Sequence, residues 1–256
     1  MTCIRIAAAG DIHCCEENRV AAAAAFAEAD RDADLILLAG DLTTYGEPEQ
    51  AALLAEICAG IGTPVIAVLG NHDWHADRCV EVTALLEQGG VEVLHRSHTV
   101  QEIHGTEIGI VGTKGFIGGF PDSELPDFGE PILRQVYACT TAEVAALDAG
   151  LAAIAKCPRR IVLLHYAPTT STLEGERPVI WAFLGSSRMG VPIARYRPDL
   201  VLHGHAHGGT FEGSIDGVPV FNVAVPVLGR DFWIFELEGA EVTVEAEPAE
   251  PVAGPH

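Results

Sequence analysis

The sequence predicts an α/β fold, and two observations support that prediction. Short apolar segments typical of buried parallel strands alternate with longer stretches of helical character through the first half of the chain. Polar residues follow three of these segments about thirty residues apart, at Asp11, Asp41 and Asn71, which is the length of one βαβ unit. The chain has 256 residues, of which 48% are hydrophobic, so it can bury a sizeable core.

Each element follows from its local pattern. Apolar runs predict strands at about 4–9, 34–39, 65–69, 91–94, 107–111, 161–164 and 198–202. Helices are predicted at 16–30, 49–59, 78–87, 141–155 and 189–196. Glycine and proline residues between 112 and 131 interrupt the alternation and predict a long loop. After residue 207 the pattern predicts hairpin strands at 209–213, 218–223, 231–237 and 242–246.

Composition narrows the class of protein. Residues 1–247 are expected to form one domain, and the tail at 248–256 is expected to be disordered. No secretory signal and no apolar run approaching a membrane span is present, so we expect a cytoplasmic protein. The seven cysteines are scattered without C-x-x-C pairs, which indicates reduced thiols. A formal charge of −21 opposes binding to nucleic acid or to anionic membranes.

Metal-ligand side chains follow five of the predicted strands. His203-Gly204-His205-Ala206-His207 contains three histidines, and in an extended segment His205 and His207 point to the same side. The other strand ends carry Asp11 and His13, Asp41, Asn71 with His72, and His165. One such residue alone is commonly a turn residue or a helix cap. Five together predict a metal site, because open α/β sheets bind ligands at the carboxyl ends of their strands.

The same residues resemble a known family, the calcineurin-like metallophosphoesterases. Its motifs D-x-H, G-D-x-x-x-x-G, G-N-H-D/E, a lone His and G-H-x-H occur in order as Asp11-Ile12-His13, Gly40-Asp41-Leu42-Thr43-Thr44-Tyr45-Gly46, Gly70-Asn71-His72-Asp73, His165 and Gly204-His205-Ala206-His207. The resemblance runs from about residue 4 to residue 207. It implies a four-layer αββα sandwich of two packed mixed β-sheets. His203 is an addition to the motif, and we interpret it as a structural histidine or as one that supports a ligand.

The resemblance also implies a centre of two metal ions, divalent or of mixed valence. The first ion would be held by Asp11, His13, Asp41 and His207, and the second by Asp41, Asn71, His165 and His205, with Asp41 bridging. Carboxylate, amide and imidazole ligands suit Mn, Fe, Zn, Co or Ni. Cys14 and Cys15 adjoin His13, but this set is complete without a thiolate.

His72 is implied to act on the substrate instead of binding a metal. It would protonate the leaving oxygen or stabilise charge on the phosphoryl group. Asp73, Asp77 or a backbone carbonyl would orient its other nitrogen, and the sequence leaves these three open. The implied reaction is hydrolysis of a small-molecule phosphomonoester or phosphodiester by attack of hydroxide held by the metals.

Two alternatives and one specificity prediction accompany this interpretation. A nuclease of the same fold is the alternative enzyme, against which the acidic charge argues. A noncatalytic metal-binding module is the other, against which the complete ligand set argues. Substrate contacts are expected from the loop 112–122 and from 185–188, because long loops in compact domains commonly carry function. The candidate contacts are Lys114, Phe116, Phe120 and Arg188.

Overall fold

The computed structural model describes residues 3–238 and 241–244. The strands within these ranges are β1 Ile4–Ala9, β2 Leu35–Ala39, β3 Val65–Val68, β4 Val91–Val93, β5 Ser97–Ile103, β6 Thr106–Gly112, β7 Arg159–Leu163, β8 Leu200–His203, β9 Glu212–Ile215, β10 Val218–Asn222, β11 Trp233–Glu238 and β12 Glu241–Val244. The α-helices are α1 Arg19–Asp32, α2 Pro48–Cys58, α3 Cys79–Gln88, α4 Pro131–Ala153, α5 Trp181–Leu184, α6 Gly190–Tyr196 and α7 Val225–Leu228. The 3-10 helices are His72–Trp74, Thr170–Thr172, Pro178–Ile180 and Ser187–Met189.

The strands form two six-stranded mixed sheets. The first sheet has the order β12-β11-β1-β2-β3-β4, and the second has the order β5-β6-β7-β8-β10-β9. In the first sheet β1 to β4 are parallel, whereas β11 and β12 pair in antiparallel fashion at one edge. In the second sheet β6, β7, β8 and β10 are parallel, and β5 and β9 form antiparallel edges.

Alternate side chains of each central strand divide between two cores. Ile6 and Leu37 of the first sheet pack with Ile161 and Leu202 of the second in a core between the sheets. The opposite face of the first sheet packs on α1, α2 and α3, and the opposite face of the second packs on α4 and α6. The layers are therefore helix, sheet, sheet and helix, which confirms the predicted four-layer αββα sandwich.

Several elements differ from the sequence predictions. Strand β5 was not predicted, because it is an edge strand in which most residues are polar and its apolar Val100 is exposed. Helix α4 begins at Pro131, ten residues before its predicted start, with the proline in its first turn, where a missing N–H is tolerated. The four-residue helices α5 and α7 were not predicted either. The predicted tail at 248–256 and the end of the predicted strand 242–246 lie outside the described residues.

The structure describes the state of the cysteines and the apolarity of the helices. All seven cysteines are free thiols. No helix in the described part of the chain combines the length and the apolarity needed to cross a bilayer.

The core between the sheets should dominate the stability of the fold. Leu37 is fully buried there, so Leu37→Ala should lower the free energy of unfolding by about 2–5 kcal/mol through lost burial and an unfilled cavity. Val20 is 84% exposed on α1, and Val20→Ala should leave that free energy nearly unchanged. Urea unfolding of both variants measures the difference. Equal midpoints would contradict the assignment of Leu37 to the central core.

Candidate metal centre

The seven residues expected to bind metal come together at one end of the two sheets. Asp11 and His13 follow β1, Asp41 follows β2 and Asn71 follows β3, all in the first sheet. The second sheet contributes His165 after β7, and His205 and His207 after β8. The sheets are joined at this end by His165, whose Nδ1 lies 2.9 Å from the carbonyl oxygen of Ala39 at the end of β2.

Ligand-type atoms form three overlapping clusters at this end. The clusters are Asp11, His13 and His207; His13, Asp41 and His72; and Asp41, His165 and His205. Within each cluster the ligand-type atoms all lie within 4.8 Å of one another. Asp41 belongs to two clusters, a position suited to a bridging carboxylate. Asn71 lies beside the third, with its Oδ1 2.9 Å from Nε2 of His165.

Asp11 is a buried carboxylate surrounded by donors. Its Oδ1 lies 2.8 Å from Nε2 of His207, and its Oδ2 accepts the backbone N–H of His205 at 2.9 Å. Burial acts to raise the pKa of Asp11, but the hydrogen bond from His207 and the proximity of His165 outweigh it, so the pKa lies below its usual range. The same hydrogen bond raises the pKa of His207 against the effect of burial. Asp11 is therefore ionised at neutral pH.

His165 supplies the strongest geometric indication of a cation. Its Nδ1–H donates to the Ala39 carbonyl, which leaves the Nε2 lone pair facing Oδ1 of Asn71 at 2.9 Å and Oδ1 of Asp41 at 3.3 Å. Three acceptor atoms that converge without a hydrogen between them repel one another unless a cation lies among them. A carbonyl that fixes the far nitrogen of a histidine is also the usual support of a metal-binding imidazole. These residues fit a metal ion.

His205 uses its two ring nitrogens in the opposite way to His165, because its Nε2 and not its Nδ1 faces a backbone carbonyl. Its Nε2 lies 3.1 Å from the carbonyl oxygen of Phe183, so an N–H there leaves Nδ1 as the free lone pair. Burial, followed by the proximity of His165, lowers the pKa of His205 to about 3. The ring is neutral at physiological pH, as a metal ligand must be.

The backbone at the centre is held in an uncommon conformation. Asp11, His13, Asp41 and His205 have φ angles of 57°, 43°, 50° and 69°, in the left-handed region that most residues avoid. Such strain persists only where the surrounding structure enforces it, and it concentrates at functional sites. Here it lets the chain turn immediately after each strand and point successive polar side chains into one space.

Two glycines allow this close approach of chains. A Cβ atom on Gly70 would lie 2.1 Å from Oδ1 of Asp41, and one on Gly204 would lie 2.3 Å from Oδ2 of Asp11. Side-chain carbons do not approach a carboxylate oxygen so closely. The glycines in the G-N-H-D and G-H-x-H segments therefore make room for the buried carboxylates.

His72 lies at the edge of the centre and is 40% exposed in its side chain. Its Nδ1 is 2.8 Å from the carbonyl oxygen of Thr44, which identifies the backbone carbonyl among the three partners that the sequence left open. Its Nε2 lies 3.9 Å from Oδ2 of Asp41 and is free to face a substrate. The cluster with His13 and Asp41 would also allow His72 to reach a metal, so the two roles require a test.

Asp73 stabilises the two loops that carry Asp41 and Asn71. It is fully buried and accepts the backbone N–H groups of Leu42, Thr43 and Gly70, at 2.8 to 3.1 Å, as well as the Thr43 hydroxyl. These bonds tie the loop after β2 to the loop after β3. Asp73 therefore fixes the distance between Asp41 and Asn71 and does not orient His72.

Three further residues near the centre have roles that the sequence left open or missed. His203 is buried between the Thr172 hydroxyl and the Gly204 carbonyl, and burial lowers its pKa to about 4, which supports its interpretation as a neutral structural histidine. Burial raises the pKa of Cys14 to about 11, so its thiol stays protonated.

Tyr166 was not identified from the sequence. Its ring centre lies 4.4 Å from that of His205 and 5.4 Å from that of His165. Its position after His165 is the only signal in the sequence.

The structure gives two of the expected substrate contacts, Phe120 and Arg188, packing contacts of their own. Phe120 is 1% exposed and packs in a small core with Ala167 and Leu184, so its ring has no face for a substrate. The Arg188 guanidinium stacks 4.1 Å from the ring centre of Tyr137 on α4 and donates to the Thr141 hydroxyl at 2.7 Å. These contacts attach the 3-10 helix Ser187–Met189 to α4, and the phosphate contact of Arg188 stays a prediction.

Lys114 and Phe116 remain candidates for substrate contact. The Phe116 ring lies 5.9 Å from that of Tyr166, and the Lys114 ammonium lies over both rings. Both residues therefore adjoin the side of the centre formed by His165 and His205. The loop expected to carry substrate contacts is buried from Thr113 to Gly115 and becomes exposed only from Pro121 onwards.

Comparison with known proteins agrees with this architecture. The sequence profile of the calcineurin-like phosphoesterase family matches residues 4–209. A phosphopantetheinyl hydrolase from Mycobacterium tuberculosis has a similar structure, with a TM-score of 0.61 and 15% sequence identity over 97% of this chain and 98% of that one. A phosphatase from Mycoplasma pneumoniae has a TM-score of 0.55 and 15% identity, over 95% and 92% of the two chains.

Protein TT1561 of Thermus thermophilus is similar as well, with a TM-score of 0.60 and 18% identity over 94% of this chain and 98% of that one. At these identities the likeness is one of fold. No curated protein sequence matches the chain significantly.

The close approach at Gly70 makes a specific prediction. Gly70→Ala should push Asp41 from its position and weaken metal binding by roughly 10- to 100-fold, the effect typical of disturbing a ligand's support. Gly60→Ala is the matched control, because a Cβ there would meet only the Ile57 carbonyl oxygen at 3.4 Å. Metal content after equilibrium dialysis against Mn²⁺ compares the variants. Parent-like occupancy in Gly70→Ala would refute the steric argument.

Proposed function

Because the chain belongs to the calcineurin-like phosphoesterase family and is a phosphoester hydrolase, we propose that it cleaves small-molecule phosphate esters at a centre of two metal ions. The observation that carries this proposal is the convergence of buried carboxylates, an amide and imidazoles into adjoining clusters that share Asp41. A single ion would need fewer ligands than the seven that converge. The shared carboxylate favours two adjacent ions.

The two ions would divide the ligands between them. Asp11, His13, Asp41 and His207 would hold one ion, and Asp41, Asn71, His165 and His205 the other. Divalent ions held there would neutralise phosphoryl charge and would make a nucleophilic oxygen available near neutral pH. Oxygen and nitrogen ligands without thiolate favour Mn, Fe, Zn, Co or Ni.

The chain's own groups would complete the reaction. The Thr44 carbonyl holds Nδ1 of His72, so Nε2 is directed toward the space beside Asp41, where the ester would lie. Because Nδ1–H donates to this carbonyl, Nε2 carries a proton only in the cationic imidazolium, which would pass that proton to the leaving oxygen as its bond to phosphorus breaks. Asp73 contributes by holding the loops of Asp41 and Asn71 at a fixed separation.

A substrate panel tests the class of ester. The panel consists of p-nitrophenyl phosphate, bis-p-nitrophenyl phosphate, cyclic nucleotides and single-stranded DNA, each with and without added Mn²⁺. Hydrolysis of the small esters but not of DNA is expected, because a formal charge of −21 repels a polyanion. Turnover of DNA alone would favour a nuclease, and no turnover with any ester would favour a noncatalytic module.

Asp41 tests the two-ion assignment. Removing a shared carboxylate leaves two neighbouring cations without their counter-ion, so Asp41→Ala should lose most bound metal and nearly all activity. Asp127 is an exposed carboxylate in the loop before α4, and Asp127→Ala should keep both. Elemental analysis and turnover of p-nitrophenyl phosphate are the measurements. Two ions per chain with near-normal turnover in Asp41→Ala would exclude the bridging role.

His72 separates proton transfer from metal binding. His72→Ala should retain the metal content of the parent and lose roughly 10²- to 10⁴-fold in rate on esters with poor leaving groups. Esters of p-nitrophenol should lose less, because their leaving oxygen needs protonation least. Loss of metal from His72→Ala would make His72 a ligand, and equal rate losses across leaving groups would indicate charge stabilisation.

A further inference from the structure

Lys114 lies beside the candidate metal centre. It follows β6, and its backbone carbonyl accepts the N–H groups of both His165 and Tyr166, at 3.1 and 3.0 Å. The segment that carries Lys114 is thus hydrogen-bonded to the segment that carries an expected ligand. The position of Lys114 is coupled to that of the centre.

The ammonium group of Lys114 is surrounded by aromatic rings. Its Nζ lies 4.5 Å from the ring centre of Phe116, 4.9 Å from that of Tyr166 and 5.8 Å from that of Trp74. The residue is only 9% exposed. Ring faces attract a cation but accept none of the three hydrogen bonds that an ammonium donates.

No other group in the described part of the chain satisfies those donors. Lys114 Nζ forms no hydrogen bond or ion pair with residues 3–238 or 241–244. The nearby Glu143 carboxylate is occupied by Arg96, by the Thr113 hydroxyl and by the N–H of Gly115. Glu143 thereby fixes the backbone on both sides of Lys114 without pairing with the ammonium. A largely buried cation whose donors meet no protein acceptor is suited to bind an anion.

We propose that Lys114 binds a second anionic group of the substrate, a carboxylate or a phosphate carried by the alcohol part of the ester. This inference rests on the proposed function, which places the scissile phosphoryl group at the metal centre. The Lys114 ammonium makes no hydrogen bond or ion pair with any expected ligand, and its three aromatic neighbours are not ligands. Tyr166 contacts His165 and His205 as well as the ammonium, so Lys114 lies one layer of side chains outside the centre.

The net negative charge of the protein explains why a cation such as Lys114 would matter for binding an anionic substrate. The chain carries 36 acidic residues against 15 lysines and arginines, a balance that repels a doubly anionic ligand at long range. A substrate of that kind therefore needs a local cation in addition to the metals. Burial lowers the pKa of Lys114, and Glu143 opposes that effect. A bound anion would further favour the charged ammonium.

Phosphonates test the inference, because binding can be measured without turnover. The probes are propylphosphonate, 3-phosphonopropanoate and propane-1,3-diyl bisphosphonate, titrated calorimetrically into the metal-loaded protein. The two doubly anionic probes distinguish a carboxylate site from a phosphate site. We expect at least one of them to bind roughly 10- to 100-fold more tightly than propylphosphonate in the parent.

Three variants assign that preference to Lys114. Lys114→Met keeps the length of the side chain but removes the charge, and it should abolish the preference while propylphosphonate binds as before. Lys114→Arg should retain part of the preference for the doubly anionic probes. Lys156 is the only other lysine in the sequence and is exposed, so Lys156→Met changes the net charge equally and should behave as the parent does. Metal content and thermal midpoints verify that each variant is folded and loaded.

Other outcomes overturn the inference. A parent that does not prefer either doubly anionic probe has no second anion site at this spacing. Equal weakening of all three probes by Lys114→Met would place the ammonium on the phosphonate at the metals instead. Hydrolysis of phenyl phosphate by the parent is measured separately, so failure of the anion site is distinguishable from failure of the proposed function.

Discussion

The rest of the structure depends on one constraint, the burial of acceptor groups at the carboxyl ends of the two sheets. Asp11, Asp41 and Asp73 lie out of contact with bulk water, where an unpaired carboxylate is costly. Each is held by backbone N–H groups: those of His205 on Asp11, of His72 on Asp41, and of Leu42, Thr43 and Gly70 on Asp73. The loops after the strands are shaped by the need to supply these donors.

The packing of the two sheets is a precondition of the centre. The first sheet supplies the carboxylates, the amide and His13, whereas the second supplies the three remaining imidazoles. Neither sheet alone carries the complete set. The core between the sheets, which includes Leu37 and Leu202, therefore brings the two half-sites together, and the His165 to Ala39 hydrogen bond fixes their separation at the edge.

The surroundings of the centre divide into two chemically different sides. His72 lies on the side of His13, where it is accessible and held by the Thr44 carbonyl. Tyr166, Phe116 and Lys114 form the other side, beside His165 and His205. The metals and His72 would act on any phosphoryl group, so discrimination among substrates must come from groups such as these that contact the rest of the ester.

The sequence by itself determined the α/β class, the two-sheet architecture through its motifs, and the residues that meet at the centre. These are encoded locally, because a buried strand is an apolar run and a ligand follows directly at its end. Only the tertiary structure decided which groups support them. The Thr44 carbonyl at His72, Asp73 across two loops and Tyr166 against His205 depend on contacts between segments distant along the chain. For the same reason the burial of Phe120, which is plausible in sequence as a substrate contact, was visible only in the structure, since solvent exposure is a property of the assembled fold.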